Sequence, residues 1–161
     1  MQMILHQDCI ENRMPYLKVY IHFVWATKNR TPYLSTTDLR LKVWWHILKY
    51  ASTKGIFVDF INGYSDHCHC LISLKSTQNI EDIIQLIKGE SSRWINSTNL
   101  LKETEYTWFE WQDEYYGVSV SPNDVNSVRD YIKHQEDHHK IQTFNDEFND
   151  YMNKNGFQLF K

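Results

Sequence analysis

The sequence predicts one α+β domain: a four-stranded antiparallel sheet with helices on one face and a further helix, carrying Tyr131, added near the C-terminus. Three observations lead there. Segments of period-2 alternation and of helical periodicity follow one another in the order β-α-β-β-α-β-α-α. At 161 residues the chain has the size of a single domain with a sizeable core. No internal repeat or low-complexity linker divides it. Two helices on one side of four antiparallel strands make a split βαβ, ferredoxin-like arrangement.

Residues 1–13 show no clear periodicity and read either as a flexible extension or as a tract preceding a start at Met14, with 14–161 forming the domain. Tyr16 to Thr27 alternates, with Leu17, Val19, Ile21, Phe23 and Trp25 on one face, which predicts the first strand. Lys28-Asn29-Arg30 and Pro32 mark a polar loop. Thr37 to Lys54 reads as a helix with Leu41, Trp44, Trp45, Leu48 and Ala51 as its apolar stripe and Gly55 just past its end. Ile56–Ile61 and Asp66–Leu74 form a strand pair, with Asn62-Gly63 as the turn signal. Asn79 to Asn96 is a second helix, with Asn79 as cap and Glu81 and Asp82 favouring its N-terminal dipole. An aromatic segment, Tyr106–Trp111, precedes a short strand, Tyr115–Val120. Ser121-Pro122-Asn123-Asp124 resembles a capping box for a helix reaching about Lys140, and Phe144–Asn153 is a last amphipathic helix.

Apolar residues at 42% and charged residues at 23% exclude intrinsic disorder and collagen. The three cysteines, Cys9, Cys68 and Cys70, lack CxxC spacing and point to a reducing, cytoplasmic setting. No apolar run approaches the ~20 residues of a membrane span, and the first residues do not resemble a signal peptide. The net charge of −3 is unevenly spread. Arg13 to Lys54 carries eight basic residues against one acidic, whereas Gly55 to Lys161 carries nine against seventeen. The basic first third suits a polyanion, or is ordinary solvated surface.

The most informative stretch is His67-Cys68-His69-Cys70. Residues two apart on a strand share a face, so His67 and His69 project together while Cys68 and Cys70 point into the core. Two such imidazoles are either a pair of metal ligands or two histidines on a half-exposed strand. Tyr131 and Gln135 lie one turn apart on the same helix face, beside a stripe of Val125, Val128 and Ile132 that would pack on the sheet.

These residues also carry a resemblance. Asp66-His-Cys-His-Cys-Leu-Ile-Ser resembles the His-hydrophobe-His motif of the HUH-endonuclease superfamily, although Cys68 stands where bulkier aliphatic residues are common. Tyr131-Ile-Lys-His-Gln resembles the tyrosine helix of its single-tyrosine transposases of small bacterial insertion sequences, including those associated with repetitive extragenic palindromes (REPs). The similarity runs from Tyr16 to about Phe157 and includes VYIHFVWATKNR, QLIKGESSRWIN and FEWQDEYYGVSVSP. It implies that His67, His69 and Gln135 hold one divalent ion, Mg²⁺ or Mn²⁺, and that Tyr131 is the nucleophile in cleaving and rejoining single-stranded DNA. It further implies hairpin-bearing DNA ends as substrate and a homodimer. By chemistry and position, Lys28, Arg30, Lys88, Ser91 and Arg93, with Ser92, are candidate DNA contacts, and Trp108 and Trp111 either stack on bases or pack in the core. No general base beside Tyr131 is evident; His134 and His138 read as exposed.

Three alternatives remain open at this level. The chain could be a domesticated relative that nicks host palindromes, or a non-catalytic nucleic-acid module on the same scaffold. It could also be a zinc hydrolase in which water rather than Tyr131 attacks.

Overall fold

The computed structural model describes residues 16–139 and 143–156. The expected extension, residues 1–13, lies outside them. The strands are β1 (Tyr20–Ala26), β2 (Phe57–Gly63), β3 (His67–Ser73) and β4 (Tyr116–Val120). They form one antiparallel sheet in the order β2-β3-β1-β4. Helices α1 (Thr37–Thr53) and α2 (Ile80–Ser97) supply the two crossovers of the ferredoxin-like arrangement.

Alternation in the two central strands divides the sheet chemically. Ile21, Phe23 and Trp25 of β1 and Cys68, Cys70 and Ile72 of β3 enter a core shared with Val43, Trp44 and Ile47 of α1 and Ile83, Ile84 and Ile87 of α2. The opposite face presents His22 from β1 and His67, His69 and Leu71 from β3. It is covered by α3 (Val125–Lys133) and α5 (Phe144–Lys154), with a single turn, α4 (Gln135–His138), between them. Leu71, Val120, Val125 and Ile132 form a second, smaller apolar cluster there. Polar bolts fix α3 in place: Arg129 donates through Nε and Nη2 to the two Asp59 oxygens, at 2.6 and 2.7 Å. Asn62 Nδ2 donates to the carbonyls of Ile132 and Lys133, both at 3.1 Å.

Four expectations are corrected. First, β1 begins at Tyr20, where its partners β3 and β4 run out at Ser73 and Val120, so Leu17 and Val19 stay exposed. Second, the buried stripe of α1 is Leu39, Val43, Trp44, Ile47 and Ala51, whereas Leu41, Trp45 and Leu48 face outward. Apolar residues surround most of this helix, so periodicity alone admits either stripe. Third, β2 continues through Asn62 and Gly63, and the chain turns at 64–66. A Cβ on Gly63 would lie 2.2 Å from the His67 carbonyl oxygen, so close strand approach rather than a turn requires this glycine. Fourth, the helix expected to reach Lys140 breaks after Lys133, and its cap is Asp124 without a side-chain bond. Ser121 and Pro122 instead form a turn closed by Asp124 N–H donating to Ser121 O at 2.9 Å.

Candidate active site

The sheet places its histidines where α3 and α5 close over them. His67, His69 and Gln135 are 0%, 2% and 0% exposed, so the alternative of two half-exposed surface histidines does not hold. His67 Nδ1 donates to Asp66 Oδ1 at 2.8 Å. His69 Nδ1 meets the Nε2 of buried His22 at 3.1 Å. Both rings therefore have Nδ1 engaged and direct Nε2 inward, the arrangement by which outer groups orient metal-ligating imidazoles. Burial pushes His67 and His69 below the usual histidine range and His22 down to about 4, so all three rings are neutral at pH 7. Neutral imidazoles offer lone pairs to a cation.

Tyr131 and Gln135 face this pair from the α3 side. The Tyr131 ring lies 5.7 Å from the His69 ring, edge to face. Gln135 Nε2 reaches the Tyr131 carbonyl at 3.5 Å across the helix break, so the one-turn relation survives. Its neighbour Glu136 accepts from the buried Arg40 of α1, at 3.1 Å from Nε and 2.8 Å from Nη2, which pins this turn to the sheet end.

Glu147 of α5 stands among these groups, and sequence reasoning missed it. It accepts a short hydrogen bond from the Tyr131 hydroxyl and another from Gln135 Nε2 at 3.2 Å. Its Oε1 lies 3.6 Å from His69 Nε2, and its Oε2 lies 3.1 Å from His139 Nε2. Burial alone would raise this carboxyl, but the close approach of His139 and His69 and the hydrogen bond from the Tyr131 hydroxyl hold it well below the usual carboxylate range. Burial and the neighbouring carboxylate push the Tyr131 phenol well above its usual range. A cavity of about 630 Å³, bordered by His22, Tyr131, Glu147 and Tyr151, opens beside the phenol.

The donor set fits a divalent ion on an observation independent of the motif. Three buried atoms in the cluster, His69 Nε2, Gln135 Oε1 and Glu147 Oε2, have no hydrogen-bond partner. Each orphan costs about 1–3 kcal/mol, a penalty that coordination removes. His67, His139 and Glu147 also bring ligand atoms within 4.8 Å of one another. Adding the amide oxygen gives a mixed nitrogen and oxygen set.

The candidate DNA contacts are dispersed. Lys28 Nζ lies 3.7 Å from Asp113, and Lys88 Nζ donates to the carbonyls of Asp113 and Glu114. Arg93 pairs with Glu90, and half-buried Arg30 lies over the Phe148 ring. Ser91 is turned inward, donating to Ile87 O at 2.7 Å and accepting from Trp111 Nε1 at 2.9 Å. That places its hydroxyl away from any phosphate and Trp111 in the core. Trp108, 61% exposed, borders a groove of about 610 Å³ with Lys28, Ser92 and Arg93. His134 is exposed, its Nδ1 2.7 Å from the Asp130 carbonyl, while the His138 side chain lies outside the described residues.

Paired histidines on a central strand thus meet a tyrosine helix on one face of a ferredoxin-like sheet. Residues 16–135 match the family model described as "Transposase IS200 like", and the chain belongs to that family. A protein of Deinococcus radiodurans R1, described as a candidate transposase, shares the fold with a TM-score of 0.61 at 22% identity over 78% of this chain and 96% of its own. A REP-associated tyrosine transposase, solved bound to a REP hairpin, shares it with a TM-score of 0.57 at 19% identity, covering 80% of this chain and 73% of that one. No curated protein matches the chain. Among the described residues, no helix is long and apolar enough to cross a membrane.

Proposed function

We propose that this chain cleaves and rejoins single-stranded DNA through a 5′-phosphotyrosine link at Tyr131. His67, His69 and Gln135 would hold a divalent ion, Mg²⁺ or Mn²⁺. One observation carries the reading: the Tyr131 phenol, two inward-facing imidazole nitrogens and the Gln135 amide converge in one buried cluster beside a cavity. When bound, the ion supplies positive charge that neutralises the scissile phosphate and polarises its P–O bond.

The chain's own groups do the rest. The α3 bolts to Asp59 and Asn62 hold the Tyr131 oxygen in place for in-line attack. The Glu147 carboxylate accepts from the Tyr131 hydroxyl and orients it, and as the O–P bond forms the phenolic proton passes to solvent in the adjoining cavity. The phenolic O–P bond forms as the P–O3′ bond breaks, and the released 3′-oxygen takes up a proton. A phenol, with pKa ≈10, leaves far more readily than an alkanol, so a DNA 3′-hydroxyl can reverse the link without ATP.

Hairpin-bearing DNA ends are the proposed substrate, supported by the hairpin bound to the REP-associated relative. Lys28, Arg30, Lys88 and Arg93 would contact phosphates, and the Trp108 groove begins where β1 ends opposite His67. The homodimer implied by the resemblance would carry two such sites. The test is a denaturing gel of purified protein with end-labelled single-stranded DNA from both flanks of its gene. Label retained on the protein after SDS, and lost with EDTA or in Tyr131→Phe, supports the reading. Cleavage surviving Tyr131→Phe would instead support metal-activated water.

A further inference from the structure

The geometry points to a cation shell larger than the three residues above: His139 and the Glu147 carboxylate join His67 as ligands of the same divalent ion. The inference rests on the metal-site reading and deepens it by adding a charged ligand carried on the last helix.

Three facts support it. First, His139 Nε2 lies 3.0 Å from His67 Nε2 and 3.1 Å from Glu147 Oε2. His67 donates its Nδ1 proton to Asp66, so its Nε2 carries only a lone pair, and an ionised carboxylate has only acceptors. The His139 N–H therefore serves His67 Nε2, and the buried Glu147 Oε2 is left without a hydrogen-bond partner. A dication satisfies all three atoms together. Second, His139 is held for this role, its side chain 5% exposed and its ring stacked on Tyr64 at 5.0 Å between centroids. Third, the unpartnered His69 Nε2 lies beside the same carboxylate, 3.6 Å from Oε1, so Glu147 stands between both halves of the donor set.

The chemistry follows from charge. Three imidazoles and an amide leave a dication's charge undiminished inside the protein, whereas one carboxylate halves it and strengthens retention. It also ties α5 to the ion, because α5 brings Glu147 to the site from beyond residues 140–142.

The test is Mn²⁺ binding by the full chain without DNA, read by calorimetry and by the electron paramagnetic resonance of free Mn²⁺. Circular dichroism confirms that each variant is folded. Glu147→Gln keeps the shape and removes the charge, His139→Gln removes the ring, and His67→Ala serves as the reference. The expected result is a Kd raised about tenfold or more in Glu147→Gln and in His139→Gln, with binding lost in His67→Ala. Wild-type affinity in both new variants, with loss in His67→Ala, overturns the enlarged shell and leaves the three-residue site standing. Tighter binding by Glu147→Gln also overturns it, showing that the carboxylate competes for the ion's place. No binding by the unsubstituted chain overturns the metal reading itself.

Discussion

Replacing Asp66 tests whether the strand that carries the histidines is tuned for a cation. Asp66 accepts the His67 Nδ1 proton at 2.8 Å, and the imidazole it orients is fully buried. Asp66→Asn leaves an amide oxygen in the same position, so the ring orientation is kept and only the negative charge behind it is lost. Asp66→Ala removes both the charge and the acceptor behind the buried ring. Outer partners of metal-bound histidines are worth about 10–100-fold in affinity, or about 1.4–2.7 kcal/mol. The Asn variant belongs near the lower figure and the Ala variant near the upper. The backbone carbonyl of Asp66, which accepts from Thr27 N–H at 2.8 Å, is untouched, so the tie between the end of β1 and the start of β3 persists in both. Calorimetric Mn²⁺ titration reads the order wild type, Asn, Ala from tightest to weakest. Equal affinities across the three folded proteins would refute the reasoning.

Further outcomes follow from the packing. Gly63→Ala drives a Cβ into the His67 carbonyl and should lower stability by about 3 kcal/mol or more; an unchanged urea midpoint would contradict the close approach. Glu136→Ala strips Arg40, whose side chain is 6% exposed, of its carboxylate partner, at a cost of about 1–3 kcal/mol because Glu136 itself is 39% exposed. The double variant Arg40→Met with Glu136→Leu should recover most of that loss in thermal melts; no recovery would contradict the uncompensated-charge explanation. Burial pushes the Cys68 and Cys70 thiols well above their usual range, so neither forms thiolate at pH 8. A Cys9→Ser protein should show no reaction with Ellman's reagent when native and two thiols in denaturant; native reactivity would contradict the core placement.

Local signals made most of the architecture legible. Alternation in β1 and β3 separates the cysteine face from the histidine face, and Tyr131 and Gln135 keep their one-turn spacing despite a helix break that nothing in their own residues announces. The break depends on tertiary bonds, with Asn62 capturing the carbonyls that end α3. His22 is hidden in the sequence because the apolar face of its strand dominates the alternation. The same alternation puts it on the face opposite Phe23, where antiparallel pairing brings it beside His69. Asp66 and His139 gain meaning only once neighbours in space are known. Glu147 carries no sequence signal beyond an acid in the first turn of a helix, which the helix dipole already explains. Ser91 illustrates the reverse, a hydroxyl suited to phosphate by type but taken by the Trp111 indole.

In the proposed reaction Tyr131 itself becomes joined to DNA. Trypsin cuts after Arg129 and Lys133, isolating Asp130–Lys133, a peptide in which Tyr131 is the only tyrosine. After reaction with single-stranded DNA and a divalent ion, nuclease trimming and tryptic digestion allow mass spectrometry to locate the adduct. The expected result is this peptide carrying a nucleotide through a 5′-phosphate on Tyr131. A nucleotide on another residue such as Tyr151, or cleaved DNA with a free 5′-phosphate and an unmodified Asp130–Lys133 peptide, would contradict it.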